Sequence, residues 1–218
     1  MNARDALGRL LRLRVPAVTT SDTAAVLGIS IEAASQTLRR LGAAGLVTPV
    51  RKGLWALRDP PDPLVLADYV TAPHPNYVSL QSALYLHGMI DQVPAMTYLV
   101  SLGRSTRVRT PLGTYSVHHV CPEFFGGAVQ DPRSGIRLAS PEKALVDFLY
   151  LSPTRSRLFA ALPELHLPRS FRMRAARKWA ASIPPGRLRT IVEQALKQAL
   201  AGSTRSNIRS SIGMERST

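Results

Sequence analysis

The stretch from Thr19 to Leu57 constrains this chain more than any other. It compresses two helix signals, a glycine break and a basic hairpin into one short span. Thr20 or Ser21 offers a hydroxyl to the free backbone N–H groups of a first helical turn. The helix expected from about Asp22 to Leu27 carries Ala24, Ala25 and Leu27. Gly28 breaks it, as glycine does where the chain turns through positive φ or two helices pack closely. Ser30 caps a second helix. Its Ile31, Ala34, Leu38 and Leu41 recur at three- and four-residue steps and so form one buried stripe. Gly42 and Gly45 end that helix. Leu46-Val47 and Leu54 to Leu57 then read as two short strands around a turn, Pro49 to Gly53, that carries Arg51 and Lys52.

Helix, glycine turn, helix and basic hairpin is the layout of a winged helix-turn-helix. The second helix rests its apolar stripe on the first and leaves a polar face for a major groove. Here that face is Glu32, Ala33, Ser35, Gln36, Arg39 and Arg40. Gln pairs with adenine, and Arg with guanine or phosphate. Arg51 and Lys52 at the hairpin tip suit the flanking backbone. Thr20 and Ser30, at the starts of the two helices, complete the candidate DNA-binding set. The alternative is a winged helix used for protein contacts, with Arg39 and Arg40 as a solvated face.

Charge supports the polyanion reading. The formal net charge is +14, and it is uneven. Residues 1–61 carry nine basic against four acidic side chains, 62–151 six against seven, and 152–218 thirteen against three. A near-neutral centre between two basic ends implies nucleic acid, bound less tightly as salt rises. No apolar run of about eighteen residues predicts a membrane span. No apolar leader precedes a cleavage site, and Cys121 stands alone, so a reduced, cytoplasmic setting is expected without disulfide or cysteine zinc cluster.

Before the Thr19 stretch, Asn2 to Leu13 reads as a support helix with Ala6, Leu7, Leu10, Leu11 and Leu13 inward and Arg4, Arg9, Arg12 and Arg14 outward. After it, Asp59-Pro60-Pro61-Asp62-Pro63 is a stiff linker and the expected domain boundary. The domains read as 1–58 and 64–202, with 203–218 as a disordered tail. A fragment ending near Pro61 should then fold alone.

Beyond the linker, Leu64 to Tyr69 begins a helix, and Ser79 caps another with Leu80, Ala83, Leu84 and Leu86 inward. His87 beside that face reads as a hydrogen-bonded packing residue. Thr97–Leu102, Arg104–Arg109, Tyr115–Cys121 and Ile136–Ala139 are strand candidates. His118 and His119 are neighbours on one of them, so they point to opposite faces and do not jointly hold a metal. Ser140, Pro141 and Glu142 open a helix through Leu151. Helices are also expected at 155–162, at 170–182 with Phe171, Met173 or Ala175, and Trp179 inward, and at 187–201. The fold class is α+β: a winged helix-turn-helix, then a mixed α/β domain with a small antiparallel sheet and C-terminal helices.

The winged module, Tyr77–Pro94, the segment ending Phe124-Phe125-Gly126-Gly127, and Ala139–Leu151 together resemble the AbiEi-type antitoxins of bacterial toxin–antitoxin and abortive-infection systems. The resemblance runs in order over residues 16–151. It implies a repressor of its own operon that binds repeated promoter sites on double-stranded DNA. It also implies an antagonist of a nucleotidyltransferase-like toxin encoded beside it, with the second domain supporting antitoxin action and cooperative binding. By position it puts the DNA contacts on Ser35, Gln36, Arg39, Arg40, Arg51 and Lys52. The chain is expected to be a monomer that binds cooperatively, or a dimer, with no cofactor. Ser79, Ser82, His87, Pro141, Glu142, Lys143 and Asp147 read as fold determinants.

Enzyme readings fare worse on the same residues. The only Gly-Ser, Gly202-Ser203, has no aspartate after it, and no phosphate-binding glycine motif occurs. Glu142 and Asp147 are five apart and do not share a helix face. A nuclease on Asp131, Glu142 and Lys143 is one alternative. A transcription factor whose second domain senses a small ligand is the other.

Overall fold

The computed structural model describes residues 2–57, 62–152 and 164–214, with side chains as far as Ser203. The chain is mixed α+β. It opens with α1 (Ala3–Leu11), β1 (Ala17–Thr19), α2 (Thr20–Leu27), α3 (Ile31–Ala43), β2 (Thr48–Arg51) and β3 (Leu54–Ala56). The three strands form an antiparallel sheet in the order β1-β3-β2. Pro49, which has no N–H to give a ladder, sits on the edge strand β2. Leu10, Val18, Leu38, Leu41, Val47 and Leu57 are the core beneath the helices. Leu11 and Leu13, expected inside, are 45% and 40% exposed, and Ile31 at the start of the α3 stripe is 55% exposed. Each lies at or beyond a helix end.

After Asp62 come a 3-10 turn (Pro63–Leu66), α4 (Ala67–Thr71), β4 (Asn76–Val78), α5 (Leu80–Leu86), β5 (Thr97–Ser101), β6 (Thr106–Thr110), β7 (Gly113–His119), β8 (Ala128–Gln130) and β9 (Arg137–Ala139). Three helices follow: α6 (Pro141–Leu151), α7 (Met173–Ala181) and α8 (Arg187–Met214). The second sheet is larger than expected and mixed rather than purely antiparallel. It has six strands in the order β6-β7-β5-β4-β9-β8, and β4–β9 and β5–β7 are parallel.

That sheet is covered on both faces. Tyr77, Tyr98 and Val100 point into a core with α5, α6, α7 and α8. Val78, Leu99, Tyr115 and Val117 point the other way, into a second core. The second core also contains Leu66, Ala67 and Val70 and, from the N-terminal sheet, Ala17, Val50, Leu54 and Ala56. Strands buried on both sides read as continuous apolar runs rather than alternations. The two sheets thus share one core across the expected domain boundary. Arg51 adds a hydrogen bond from its Nη2 to the Tyr69 carbonyl, 3.1 Å. Of the linker itself, 58–61 lie outside the described residues, and Asp62 caps the 3-10 turn by accepting from Leu64 N.

The Ser79 and Pro141–Asp147 segments meet in a buried polar knot. Lys143 and Asp147, both fully buried, form an ion pair of 2.5 Å one helical turn apart. Ser79 Oγ donates to the other Asp147 oxygen at 2.7 Å, and Lys143 Nζ donates to the Phe124 carbonyl at 2.8 Å. The ammonium also lies 3.4 Å from the Phe124 ring centroid and 4.9 Å from that of Trp179. Burial pushes Asp147 up and Lys143 down, and their mutual attraction opposes both shifts. Burial pushes the neighbouring Tyr77 phenol up as well, with the Asp147 charge adding to it. His87 packs as expected, its Nε2 2.7 Å from the Ala139 carbonyl.

Three further expectations shift. Leu86 is 47% exposed rather than buried. The buried stripe of α7 is Ala176 and Ala180, while Met173 is 42% exposed. α8 runs past Ala201 to Met214, through most of the segment expected as a tail. The helix expected at 155–162 lies outside the described residues.

Candidate nucleic-acid interface

α2 starts one residue earlier than a Thr20 or Ser21 cap implies. Thr19 is the cap: its hydroxyl accepts from Asp22 N at 3.0 Å, and the Asp22 carboxylate accepts from Thr19 N at 2.9 Å. This reciprocal pair was legible as Thr-x-x-Asp. Thr20 is the first helical residue. Its N–H donates to the Gly53 carbonyl at 2.9 Å, which ties the start of α2 to the hairpin turn. Gly28 ends α2 at φ 66, in the left-handed region, with its N–H on the Ala24 carbonyl.

Ser30 then caps α3, its Oγ accepting from Ala33 N at 3.2 Å. Ala34, Leu38 and Leu41 are wholly buried. The opposite face is open: Glu32, Gln36, Arg39 and Arg40 are exposed, and Ser35 is half-buried. Arg39 Nη2 donates to Ser35 Oγ at 3.1 Å, one turn back, which holds the guanidinium along the helix rather than free of it. Glu32 is the acid on this face. The backbone amide at its own position and the Ser30 hydroxyl hold its carboxyl below the usual range, so it stays ionised at neutral pH. An anion in the first turn of α3 is favourable for the helix, and the cations of this face, Arg39 and Arg40, stand further along it.

The hairpin turn is tighter than Pro49–Gly53. β2 runs through Arg51, so Lys52 and Gly53 alone make the turn, with Gly53 at φ 77. Lys52 is the exposed cation at the tip. Arg51 is exposed too but is drawn back onto Tyr69, toward the second sheet. The structure therefore brings Ser35, Gln36, Arg39 and Arg40 onto one solvent face and leaves Lys52 at the hairpin tip. The Ser30 hydroxyl caps α3, Thr20 holds the hairpin turn through its backbone N–H, and Arg51 bridges the two sheets.

Each member of the alternative catalytic set has partners of its own. Asp131 is exposed and accepts from Arg133 N, Ser134 N and Ser134 Oγ, which hold its carboxyl low. Glu142 accepts from Arg172 N at 2.6 Å, and Lys143 is taken by Asp147. His118 Nε2 lies 2.9 Å from Ser116 Oγ, while His119 Nδ1 lies 3.1 Å from the Gly103 carbonyl, so the two rings face different partners. Among the described residues no three His, Cys, Asp or Glu side chains gather as metal ligands, and no helix is long and apolar enough to cross a membrane. A scan against protein-family models matches no family, and a search of curated proteins finds no relative of significant similarity.

Proposed function

We propose that residues 2–57 are a winged helix that binds promoter DNA, and that the protein is an autorepressor acting as the antitoxin to a nucleotidyltransferase-like toxin. One observation carries the DNA half. α3 buries Ala34, Leu38 and Leu41 completely and turns Ser35, Gln36, Arg39 and Arg40 outward, and the β2–β3 hairpin that follows it in the chain carries the exposed Lys52 at its tip. A helix with that division can lie in a major groove while the tip meets the backbone. The strand order β1-β3-β2, with β1 between α1 and α2, fits a wing built on the same helices. The antitoxin half rests on the resemblance of Tyr77–Pro94 and Ala139–Leu151 to the AbiEi-type antitoxins.

The test of the DNA half is a mobility shift with the full chain and a labelled fragment from upstream of its own gene. Specific retardation that survives unlabelled random competitor and weakens with salt is expected. Equal affinity for promoter and random fragments would refute it. For the antitoxin half, co-expression with a neighbouring nucleotidyltransferase-like reading frame should restore growth. Toxicity that persists with the full chain present refutes that half alone.

A further inference from the structure

A groove runs between α7 and α8, far along the chain from α3. Its floor is Ala180, Leu196 and Leu200, and its rim carries Arg177, Lys197 and Glu193. Ala180, Leu196 and Leu200 are core side chains, 1%, 2% and 6% exposed, so the apolar surface open in the groove is that of Met173, 42% exposed, with Ala181 and Ala201. The groove is open along one side and has a volume of about 680 Å³, inside the range of roughly 300–1,000 Å³ typical of small-molecule sites. An apolar floor with a few polar groups at its edge is the usual make-up of such a site.

The rim selects the charge. Among the described residues the ion pairs are Lys143–Asp147 and His166–Asp91, so neither Arg177 nor Lys197 is engaged in one. Glu193 stands one turn before Lys197 without pairing to it. Two cations against one acid, unpaired among the described residues, favour an anionic head. The wall length selects the size. The α7 wall spans Met173 to Ala181, about 12 Å at 1.5 Å per residue. That is shorter than a helix of average length, about 11–12 residues, and long enough for a medium acyl chain or a fused ring pair.

We infer that this groove binds a small amphiphilic organic acid, its apolar body on Met173, Ala181 and Ala201 and its anionic head between Arg177 and Lys197. The inference is independent of the DNA reading, and its test uses no DNA.

The full chain is titrated with decanoate by calorimetry and by displacement of 1-anilinonaphthalene-8-sulfonate fluorescence. Decanol, decylamine and phosphatidylglycerol vesicles are run beside it. Saturable one-site binding of decanoate is expected, with decylamine weakest. Ala181→Trp lies on an exposed position lining the groove and should fill it, cutting affinity at least about tenfold while the circular dichroism and Tm hold. Ala201→Trp, across the groove and also exposed, repeats the test should the first variant unfold. Arg177→Ala and Lys197→Ala should each weaken decanoate by about threefold and leave decanol unchanged. The inference fails if no saturable binding occurs, if the tryptophan variants bind as the parent does, or if the alanine variants weaken decanol equally. Capture by vesicles without decanoate binding, or binding of an amphipathic peptide alone, also overturns it.

Discussion

Asp147→Asn removes one charge from the centre of the second half and almost no volume. The carboxylate is fully buried and accepts from Lys143 Nζ and Ser79 Oγ. The amide can still accept from Ser79, so the main loss is the counter-charge of a buried ammonium. Removing one partner of a buried pair costs about 3–5 kcal/mol, because the other charge is left uncompensated. Lys143 keeps the Phe124 carbonyl at 2.8 Å and the Phe124 ring face at 3.4 Å, which offset part of that loss. The expected cost is therefore about 3 kcal/mol, a large share of the roughly 5–15 kcal/mol that holds a domain folded. Urea unfolding followed by far-ultraviolet circular dichroism should show a midpoint about 1–2 M lower at unchanged slope. Lys143→Met combined with Asp147→Leu should recover most of the loss, since both charges go together. A single Asp147→Asn variant within about 0.5 kcal/mol of the parent would refute the ion pair as a fold determinant.

Three further outcomes follow from particular contacts. Burial, and then the nearby Arg107 charge, lower His118 to about 4 from its ordinary 6.5. The unfolded chain then binds the proton first, so stability contributed by neutral His118 is full above about 6.5 and is lost as pH falls toward 4. The loss should be on the order of 2 kcal/mol after allowing for its partial exposure, and His118→Gln should flatten the slope of unfolding free energy over that window. Gly127 has φ 73, and a Cβ there would meet Trp179 Cζ2 at 2.5 Å, so Gly127→Ala should cost about 2–4 kcal/mol by thermal or urea unfolding. A fragment ending at Leu57 strips the cover from Ala17, Val50, Leu54 and Ala56. Losing it should cost about 3–5 kcal/mol, and amide exchange across β2 and β3 should be fast in the fragment and slow in the full chain.

What could be read from the sequence was what depends on neighbours along the chain. The Ala34–Leu38–Leu41 stripe, the Gly28 break and the Ser30 and Ser140 caps all turn on residues within a few positions of one another. The rest depends on partners far apart. β1 is three residues beside a proline, and it is a strand because β3 lies against it. The parallel pairings β5–β7 and β4–β9 have no local signature, so the second sheet read as smaller and simpler than it is. The proline-rich stretch at 59–63 suggested two separate bodies. The shared core of Leu54 and Val50 with Val70 and Tyr115 shows apolar contact across it, which no spacing announces. Of the candidate site, the α3 face was legible because amphipathic period alone defines it. Arg51 was not, because its partner is a backbone carbonyl eighteen positions away.

The central claim is that the outward face of α3 reads DNA. Its most direct test is promoter affinity of Arg39→Ala with Arg40→Ala, measured by fluorescence anisotropy against random duplex at fixed salt. Both side chains are exposed, so the fold should be unchanged. The account expects promoter affinity to fall by about 1–3 kcal/mol for each base edge that an arginine no longer reaches, with the gap between promoter and random DNA narrowing. An undiminished preference for promoter DNA in the double variant would contradict it.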